Sequence, residues 1–185
     1  YLDITGEMGV FESLAHQDQK AKDAGIMLLP GIGFDVVPTD CMALYVAEQL
    51  ENPTHLDIGI CTTGAPSGGT LQSMVEQLPA GSATRRGGAL LPQSYGQGAR
   101  KIRFPHGTRW TMPIPWGDLV TASATTGIPD ITTYMAYPPK FIKAMRFAAP
   151  LLGRALRSRR LRSFVKRQIG QRVDGPDDAL RERAK

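Results

Sequence analysis

The stretch GIMLLPGIGFDVVPTDCMALYVAEQL, residues 25 to 50, decides the predicted fold. Its run IMLLP is continuously apolar and is bounded by glycine and proline, which is typical of a strand buried on both faces of a parallel sheet. The segment from residue 40 to 50 has apolar residues at helical spacing, with Thr39 or Asp40 available as the N-cap. The stretch therefore predicts a buried strand, a glycine-containing loop and a helix packed on the sheet.

The residues before this stretch predict a matching strand and helix. YLDIT (1–5) is β-branched and aromatic enough for a short buried strand, Gly6 permits a turn, and residues 8 to 24 have a helical pattern. Together with IMLLP they predict a βαβ unit. Because the chain opens on Tyr1 inside a strand-like segment, we expect the natural start to lie upstream.

The rest of the chain predicts a second arrangement of helices and strands. HLDIGICTT predicts a strand, residues 64 to 69 a turn and TLQSMVEQL a helix, and strand-like pieces follow at ARKIRF, RWTMPI, DLVTAS and ITTYMAY. The stretch from Pro139 is helical in character, with predicted breaks at Pro150 and Gly153. The sequence therefore predicts an α/β protein with a mixed or antiparallel sheet in its second part.

Composition excludes several classes of protein. The chain has 185 residues, of which 42% are hydrophobic, so disorder of the whole chain is not expected. Cys41 and Cys61 have no CxxC spacing, and we interpret them as reduced, buried thiols. No metal site is predicted. No apolar run reaches membrane-spanning length, so we expect a cytoplasmic protein that is either soluble or attached to a membrane surface.

The loop from residue 30 to 40 is the most informative candidate site. Gly31 and Gly33 allow positive φ or the close approach of a ligand, and they lie between a strand's carboxyl end and a helix, where ligands bind in open α/β sheets. Asp35 is a candidate to contact a ribose or a nicotinamide carboxamide. A tight structural turn without a ligand is the alternative. The loop is not a GxGxxG phosphate-binding turn.

Four segments carry a resemblance to a known family. YLDITGE, GIMLLPGIGFDVVPTDCMA, GGTLQSM (68–74) and IPWGDLVTASATTGIPDI (114–131) resemble, in this order, the saccharopine dehydrogenase-like NAD(P)-binding oxidoreductases, which include trans-acting enoyl reductases. The resemblance covers most of the chain and implies an internal fragment. It would comprise the C-terminal βαβ part of a Rossmann domain (1–50) and an α+β domain for substrate binding or dimerisation (51–185).

The resemblance also implies a function and a cofactor site. The intact protein would transfer a hydride to or from a C=C or C=N bond, on a small-molecule or lipid-linked acyl substrate, with NADPH expected rather than NADH. The residues implied beside the nicotinamide are Asp3, Thr5, Gly6, Glu7, Gly31, Gly33, Phe34 and Asp35. The GxGxxG turn would lie upstream, so the fragment alone is expected to be inactive and, through an exposed sheet edge, to form a homodimer. No catalytic residue is predicted.

A second candidate site lies at the start of the helix TLQSMVEQL. Ser67, Gly68, Gly69 and Thr70 offer hydroxyl and NH groups that could hold a substrate carbonyl or carboxylate. Plain N-capping of the helix by Ser67 or Thr70 is the alternative.

The segment from Lys140 to Arg172 has eleven basic residues and no acidic one. These are Lys140, Lys143, Arg146, Arg154, Arg157, Arg159, Arg160, Arg162, Lys166, Arg167 and Arg172. The segment is interpreted as a basic amphipathic helix, which fits a solvated face over a protein core, an anionic membrane surface or a nucleic-acid patch. Aromatic residues are too sparse there for base stacking, so no nucleic-acid partner is predicted. A non-catalytic, membrane-peripheral lipid-binding protein is the alternative function.

Overall fold

The computed structural model describes residues 1–62 and 67–172. This part of the chain is α/β, with seven α-helices and one six-stranded sheet. The helices are α1 (Met8–Ala15), α2 (Asp18–Asp23), α3 (Val37–Ala47), α4 (Gly68–Gln77), α5 (Asp118–Thr126), α6 (Pro139–Leu156) and α7 (Arg159–Arg172). The strands are β1 (His55–Ile60), β2 (Ser82–Arg86), β3 (Ala89–Gln93), β4 (Arg100–Phe104), β5 (Gly107–Pro113) and β6 (Asp130–Ala136).

Packing divides the chain into two compact units that interleave along the sequence. The first comprises Tyr1–Gly59, Ala83–Pro92 and Pro113–Met135, and the second comprises Ile60–Ser82, Gln93–Met112 and Ala136–Lys185. The predicted domains, 1–50 and 51–185, stay a prediction.

Helix α5 is central to the core of the first unit. Its residues Leu119 and Ala122 are completely buried, and the helix packs against both α1 and α3. It ends at Gly127, whose left-handed φ of 72° terminates the helix without a steric penalty. Ile131 of β6 adds a completely buried side chain to the same unit.

The sheet has the strand order β3-β2-β6-β5-β4, and β1 also pairs with β6. Strands β2 and β6 are antiparallel, as are β4 and β5, which form a hairpin with Arg100 opposite Thr111. The two residues between β2 and β3, Gly87 and Gly88, both have positive φ, as a tight hairpin turn of type I′ requires. The edge strand β3 contains Pro92, and the edge strand β4 has the sequence RKIRF.

Helix α6 organises the second unit. Its buried residues are Ile142, Ala149, Gly153 and Leu156, which lie on one face of the helix. This helix packs against a single 3-10 turn at Leu78–Ala80, and a Cβ on Gly153 would come within 3.2 Å of the Leu78 carbonyl oxygen. Gly153 therefore allows close packing, and the break that the sequence predicted at this residue is wrong.

Several predicted elements differ from the structure near the start of the chain. The segments 1–5 and 26–30 meet only in one parallel bridge, Leu2 to Leu29, instead of forming a regular pair of strands. The predicted burial of IMLLP is wrong, since Met27 is 68% exposed. The side chains are exposed because no described element covers both faces of this segment. The predicted helix over residues 8–24 is divided into α1 and α2. Cys41 and Cys61 are free, as predicted, but exposed instead of buried.

Three local predictions fail for identifiable reasons. DLVTAS was predicted as a strand because of its β-branched residues, but it lies in helix α5, where tertiary packing outweighs local propensity. Thr39 and Asp40 do not cap α3, which begins earlier, after Val36. Pro150 does not break α6, because the buried face of the helix continues on both sides of this exposed proline. Of the predicted turn at 64–69, residues 64–66 lie outside the described residues, while Gly68 and Gly69 begin α4.

Candidate functional site

Two loops that the sequence assigned to a cofactor site lie directly against each other. The Leu29 NH donates to the Tyr1 carbonyl oxygen (2.9 Å) and the Asp3 NH to the Leu29 carbonyl oxygen (3.3 Å), so the two segments run parallel. Loops 3–7 and 31–35 follow their carboxyl ends and therefore emerge on the same side. This is where open α/β sheets bind ligands.

Asp3 joins the two loops by hydrogen bonds. Its carboxylate oxygen Oδ1 accepts from the NH groups of Gly31 (2.9 Å) and Thr5 (3.0 Å), and its carbonyl oxygen accepts from the Ile32 NH (2.9 Å). The other oxygen, Oδ2, accepts from the Tyr1 hydroxyl, and this bond is the main reason that the pKa of Asp3 lies below its ordinary value. The structure therefore shows Asp3 as a group that shapes the loops.

The glycines of this site have little room for a side chain. Gly31 has a φ of 69°, and a Cβ there would lie 2.5 Å from the ring of Phe11. A Cβ on Gly33 would lie 3.0 Å from the Cβ of Ile4, and one on Gly6 would lie 3.3 Å from the Cβ of Asp35. The glycines thus permit the close contact between the loops.

The remaining predicted residues line the outer side of the two loops. Phe34 is 82% exposed, which leaves its ring available for contact with a flat ligand. The Asp35 side chain is also exposed, while its carbonyl oxygen accepts a hydrogen bond of 2.6 Å from the indole NH of Trp116. The Thr5 hydroxyl accepts from the NH of Glu7 at 3.2 Å, and Glu7 is the residue that precedes α1.

The amino-terminal end of α5 lies beneath these loops. A Cβ on Gly117 would lie 2.5 Å from the Phe11 ring and 3.1 Å from both the Gly6 carbonyl oxygen and Val36. Only a residue without a side chain allows α5 to approach both loops this closely. The next residue, Asp118, is completely buried at the start of the helix.

Asp118 is a buried acid with little to stabilise its charge. Within the described residues neither carboxylate oxygen accepts a hydrogen bond. Burial raises the pKa of Asp118 to about 6, and the negative charges of Asp40 and Asp35 add to this effect. The Thr39 hydroxyl offsets a part of it, but this hydroxyl donates to the Val36 carbonyl oxygen at 2.9 Å. Asp118 therefore exchanges its proton much closer to neutral pH than an exposed aspartate does.

Asp40 links the same region to the far end of α5. Its Oδ2 accepts from the Thr125 hydroxyl at 2.8 Å, while its Oδ1 is buried and, in the described part of the chain, has no hydrogen-bond partner. The predicted role of Asp40 as a helix cap is thus replaced by a contact between α3 and α5.

Asp118 and Trp116 were not predicted as site residues, although the segment that contains them carried part of the resemblance. A signal was present, because Asp118 is the one charged residue in the run MPIPWGDLV, residues 112 to 120. A single acid within an apolar segment indicates either a buried acid or a loop, and only the structure distinguishes the two.

The second predicted site is a capped helix start. The Ser67 hydroxyl oxygen accepts from the Thr70 NH at 3.2 Å and lies 3.0 Å from the Thr70 hydroxyl. The structure therefore shows N-capping by Ser67, the alternative interpretation. The NH groups of Gly68 and Gly69 are left as candidate donors to a substrate. These residues lie in the second unit, and their role in substrate binding stays a prediction.

Comparison of the chain with models of protein families found no match, and comparison with curated proteins found none either. The resemblance on which the family assignment rests therefore remains a prediction.

Two further properties limit the chemistry of the described residues. Residues 1–62 and 67–172 contain no group of three or more His, Cys, Asp or Glu side chains that could hold a metal ion. None of the helices in these ranges is long and apolar enough to span a membrane. The candidate site is thus two glycine-containing loops with an exposed aromatic ring, an exposed carboxylate and a buried acid.

Proposed function

We propose that this chain forms the nicotinamide-binding part of an NAD(P)H-dependent oxidoreductase. The observation that carries the proposal is the convergence of loops 3–7 and 31–35 beyond the carboxyl ends of two parallel segments. Dinucleotides bind at this position in doubly wound α/β proteins. The resemblance to the saccharopine dehydrogenase-like family points to the same two loops.

The side chains divide into residues that shape the site and residues that would contact the cofactor. Asp3 is already engaged with Gly31 and Thr5, so its role is to hold the loops in place. Phe34 and Asp35 are exposed and available. We propose that Phe34 packs against the nicotinamide or its ribose, and that Asp35 accepts a hydrogen bond from a ribose hydroxyl or the carboxamide.

A bound NADPH would supply the hydride for a substrate with a C=C or C=N bond. With a C=C bond conjugated to a carbonyl group, the hydride adds to the β-carbon, the electron pair moves to the carbonyl oxygen, and a proton then adds to the α-carbon. Hydrogen-bond donors near that oxygen would stabilise the enolate. The α-carbon proton donor is not assigned.

The exposed apolar surface of the first 50 residues supports a larger dinucleotide-binding sheet. Its exposed side chains include Leu2, Ile4, Ile26, Met27, Leu29, Ile32, Met42, Tyr45, Val46 and Leu50. Exposed apolar side chains in this number usually lie against another layer of protein. We propose that another part of the natural protein, or a second copy in a homodimer, covers it.

The test uses the longest polypeptide that the natural coding sequence provides. NADPH binding is measured by the change in nicotinamide fluorescence for the wild type, Phe34→Ala and Asp35→Asn. We expect both substitutions to weaken binding by on the order of ten-fold, which corresponds to roughly 1.4 kcal/mol. Phe164→Ala on α7 and Glu48→Gln at the end of α3 are matched controls on exposed positions, and they should bind NADPH like the wild type.

Two results would contradict the proposal. One is a folded full-length protein that binds neither NADPH nor NADH at millimolar concentration. The other is equal NADPH affinity in the wild type and both loop variants, which would place the cofactor elsewhere. Circular dichroism of each variant distinguishes loss of binding from loss of the fold.

A further inference from the structure

The outward face of α6 combines large apolar side chains with cations. The buried residues Ile142, Ala149 and Leu156 define the inward face of the helix. Phe147 and Leu151, four residues apart, lie on the opposite side and are 67% and 74% exposed. In a helix packed only against its own protein, these positions are usually polar.

The same outward face has a dense positive charge. At 100° per residue, Lys140, Lys143 and Arg154 fall on the side of the helix that carries Phe147 and Leu151, and all three are exposed. No acidic residue occurs in α6 or α7 to neutralise them. The result is a strip on which two apolar side chains are surrounded by cations.

Helix α7 shows the same pattern on a smaller scale. Val165 and Ile169 are half-buried, and Lys166 pairs with Glu76 of α4, against which α7 packs. Phe164 lies on the opposite side and is 55% exposed, with Arg160 and Arg167 on the same side. The basic segment therefore forms two helices that are separated after Leu156 and not at the predicted breaks. Each helix has a packed side and a basic, partly apolar outer side.

We propose that the outward face of α6 docks on an anionic lipid membrane, with Phe147 and Leu151 inserted among the headgroups. The alternation of exposed apolar side chains and cations is the pattern of an interfacial helix, in which apolar burial and attraction to anionic lipid act together. A nucleic acid would use the cations but leave the two apolar side chains exposed to water. The proposal does not depend on the oxidoreductase function, since none of its residues lies in the NADPH-binding loops.

Cosedimentation of the full chain with vesicles tests the proposal. One set of vesicles contains phosphatidylcholine alone. The other also contains about 30% phosphatidylglycerol, which approximates the anionic lipid of a biological membrane surface. We expect binding to the anionic vesicles only, with affinity that falls as salt concentration rises. The variants are the pair Phe147→Ser and Leu151→Ser and the pair Lys143→Gln and Arg154→Gln.

Each pair of substitutions has an expected effect and a matched control. Removing two cations should weaken binding about 25-fold, at roughly five-fold for each. Removing the two apolar side chains should weaken it at least about ten-fold. Leu91→Ser on β3 and the pair Arg103→Gln and Arg109→Gln change equivalent exposed residues elsewhere, and these controls should bind like the wild type. All substituted positions are on the surface, so thermal unfolding should be nearly unchanged.

Three outcomes would overturn the proposal. The first is that the wild type does not bind anionic vesicles, and the second is that the wild type and both α6 variants bind them equally. The third is that the protein binds duplex DNA through the same cations but does not bind vesicles. Vesicle binding by a full-length protein that binds no NADPH would uphold the docking surface while removing the proposed oxidoreductase function. The alternative of a non-catalytic lipid-binding protein would then be favoured.

Discussion

Replacing Asp118 by Asn should make the protein more stable at neutral and alkaline pH. The pKa of Asp118 rises from its ordinary value of 3.8 to about 6, chiefly because the side chain is buried. At roughly 1.4 kcal/mol for each pKa unit, this difference corresponds to about 3 kcal/mol. Asn has nearly the same shape as a protonated Asp and does not ionise.

The direction of the pH dependence follows from the two protonation states. Below pH 3.8 the carboxyl is protonated in both the folded and the unfolded chain, so burying it carries no charge penalty. As the pH rises from 3.8 to about 6, the unfolded chain ionises this carboxyl while the folded chain keeps its proton, so stability is lost, and the loss levels off above about pH 6. Between about pH 4 and pH 8, we expect the wild type to lose about 2 kcal/mol more than Asp118→Asn.

Urea unfolding followed by tryptophan fluorescence measures this difference at each pH. The comparison uses the change in the free energy of unfolding from acid to alkaline pH, which cancels any effect of Asn that is independent of pH. Glu48→Gln is the control, because it removes a carboxylate that is exposed to solvent at the end of α3. A pH dependence identical in the wild type and Asp118→Asn would show that Asp118 is not a buried, unpartnered acid.

Two other predictions concern backbone positions at the candidate sites. Gly31→Ala and Gly25→Ala both place a side chain at a left-handed φ, but only the one at Gly31 would meet the Phe11 ring. Urea unfolding should therefore show that Gly31→Ala is less stable than Gly25→Ala by about 1–3 kcal/mol. Equal losses would mean that the ring moves aside freely. Ser67→Ala should destabilise by about 1 kcal/mol and Ser67→Gly by only a few tenths, since Ser67 caps α4. Unchanged unfolding of Ser67→Ala would show that the cap contributes nothing.

The sequence was informative about the candidate site where local rules apply. Two glycine-containing segments that each follow a strand-like run predicted loops at the same end of a sheet, and the structure brings these loops together through Asp3 and Gly31. Ser67 before a helical pattern predicted an N-cap, and the cap is present. These features depend on a few neighbouring residues, so they could be predicted from the sequence alone.

The sequence was less informative where distant parts of the chain determine the outcome. Nothing in DLVTAS shows that Gly117 lies against Phe11, more than 100 residues earlier, or that Asp118 thereby becomes completely buried. The helix through Pro150 depends likewise on packing against Leu78–Ala80. For IMLLP the sequence predicted a buried strand, but the structure leaves the segment largely exposed. An apolar run does not by itself provide the neighbouring elements that would cover it.

The edges of the sheet determine how copies of this protein can associate. Pro92 removes a backbone donor from the outer strand β3, and Arg100, Lys101 and Arg103 give the other outer strand, β4, a positive charge that would repel the same strand of a second molecule. Strand addition that leads to fibrous aggregates is therefore disfavoured at β3 and at β4. Because many exposed apolar side chains lie in residues 1–50, we expect any association between copies to use them. A mild detergent should then disperse such oligomers more readily than a change of salt.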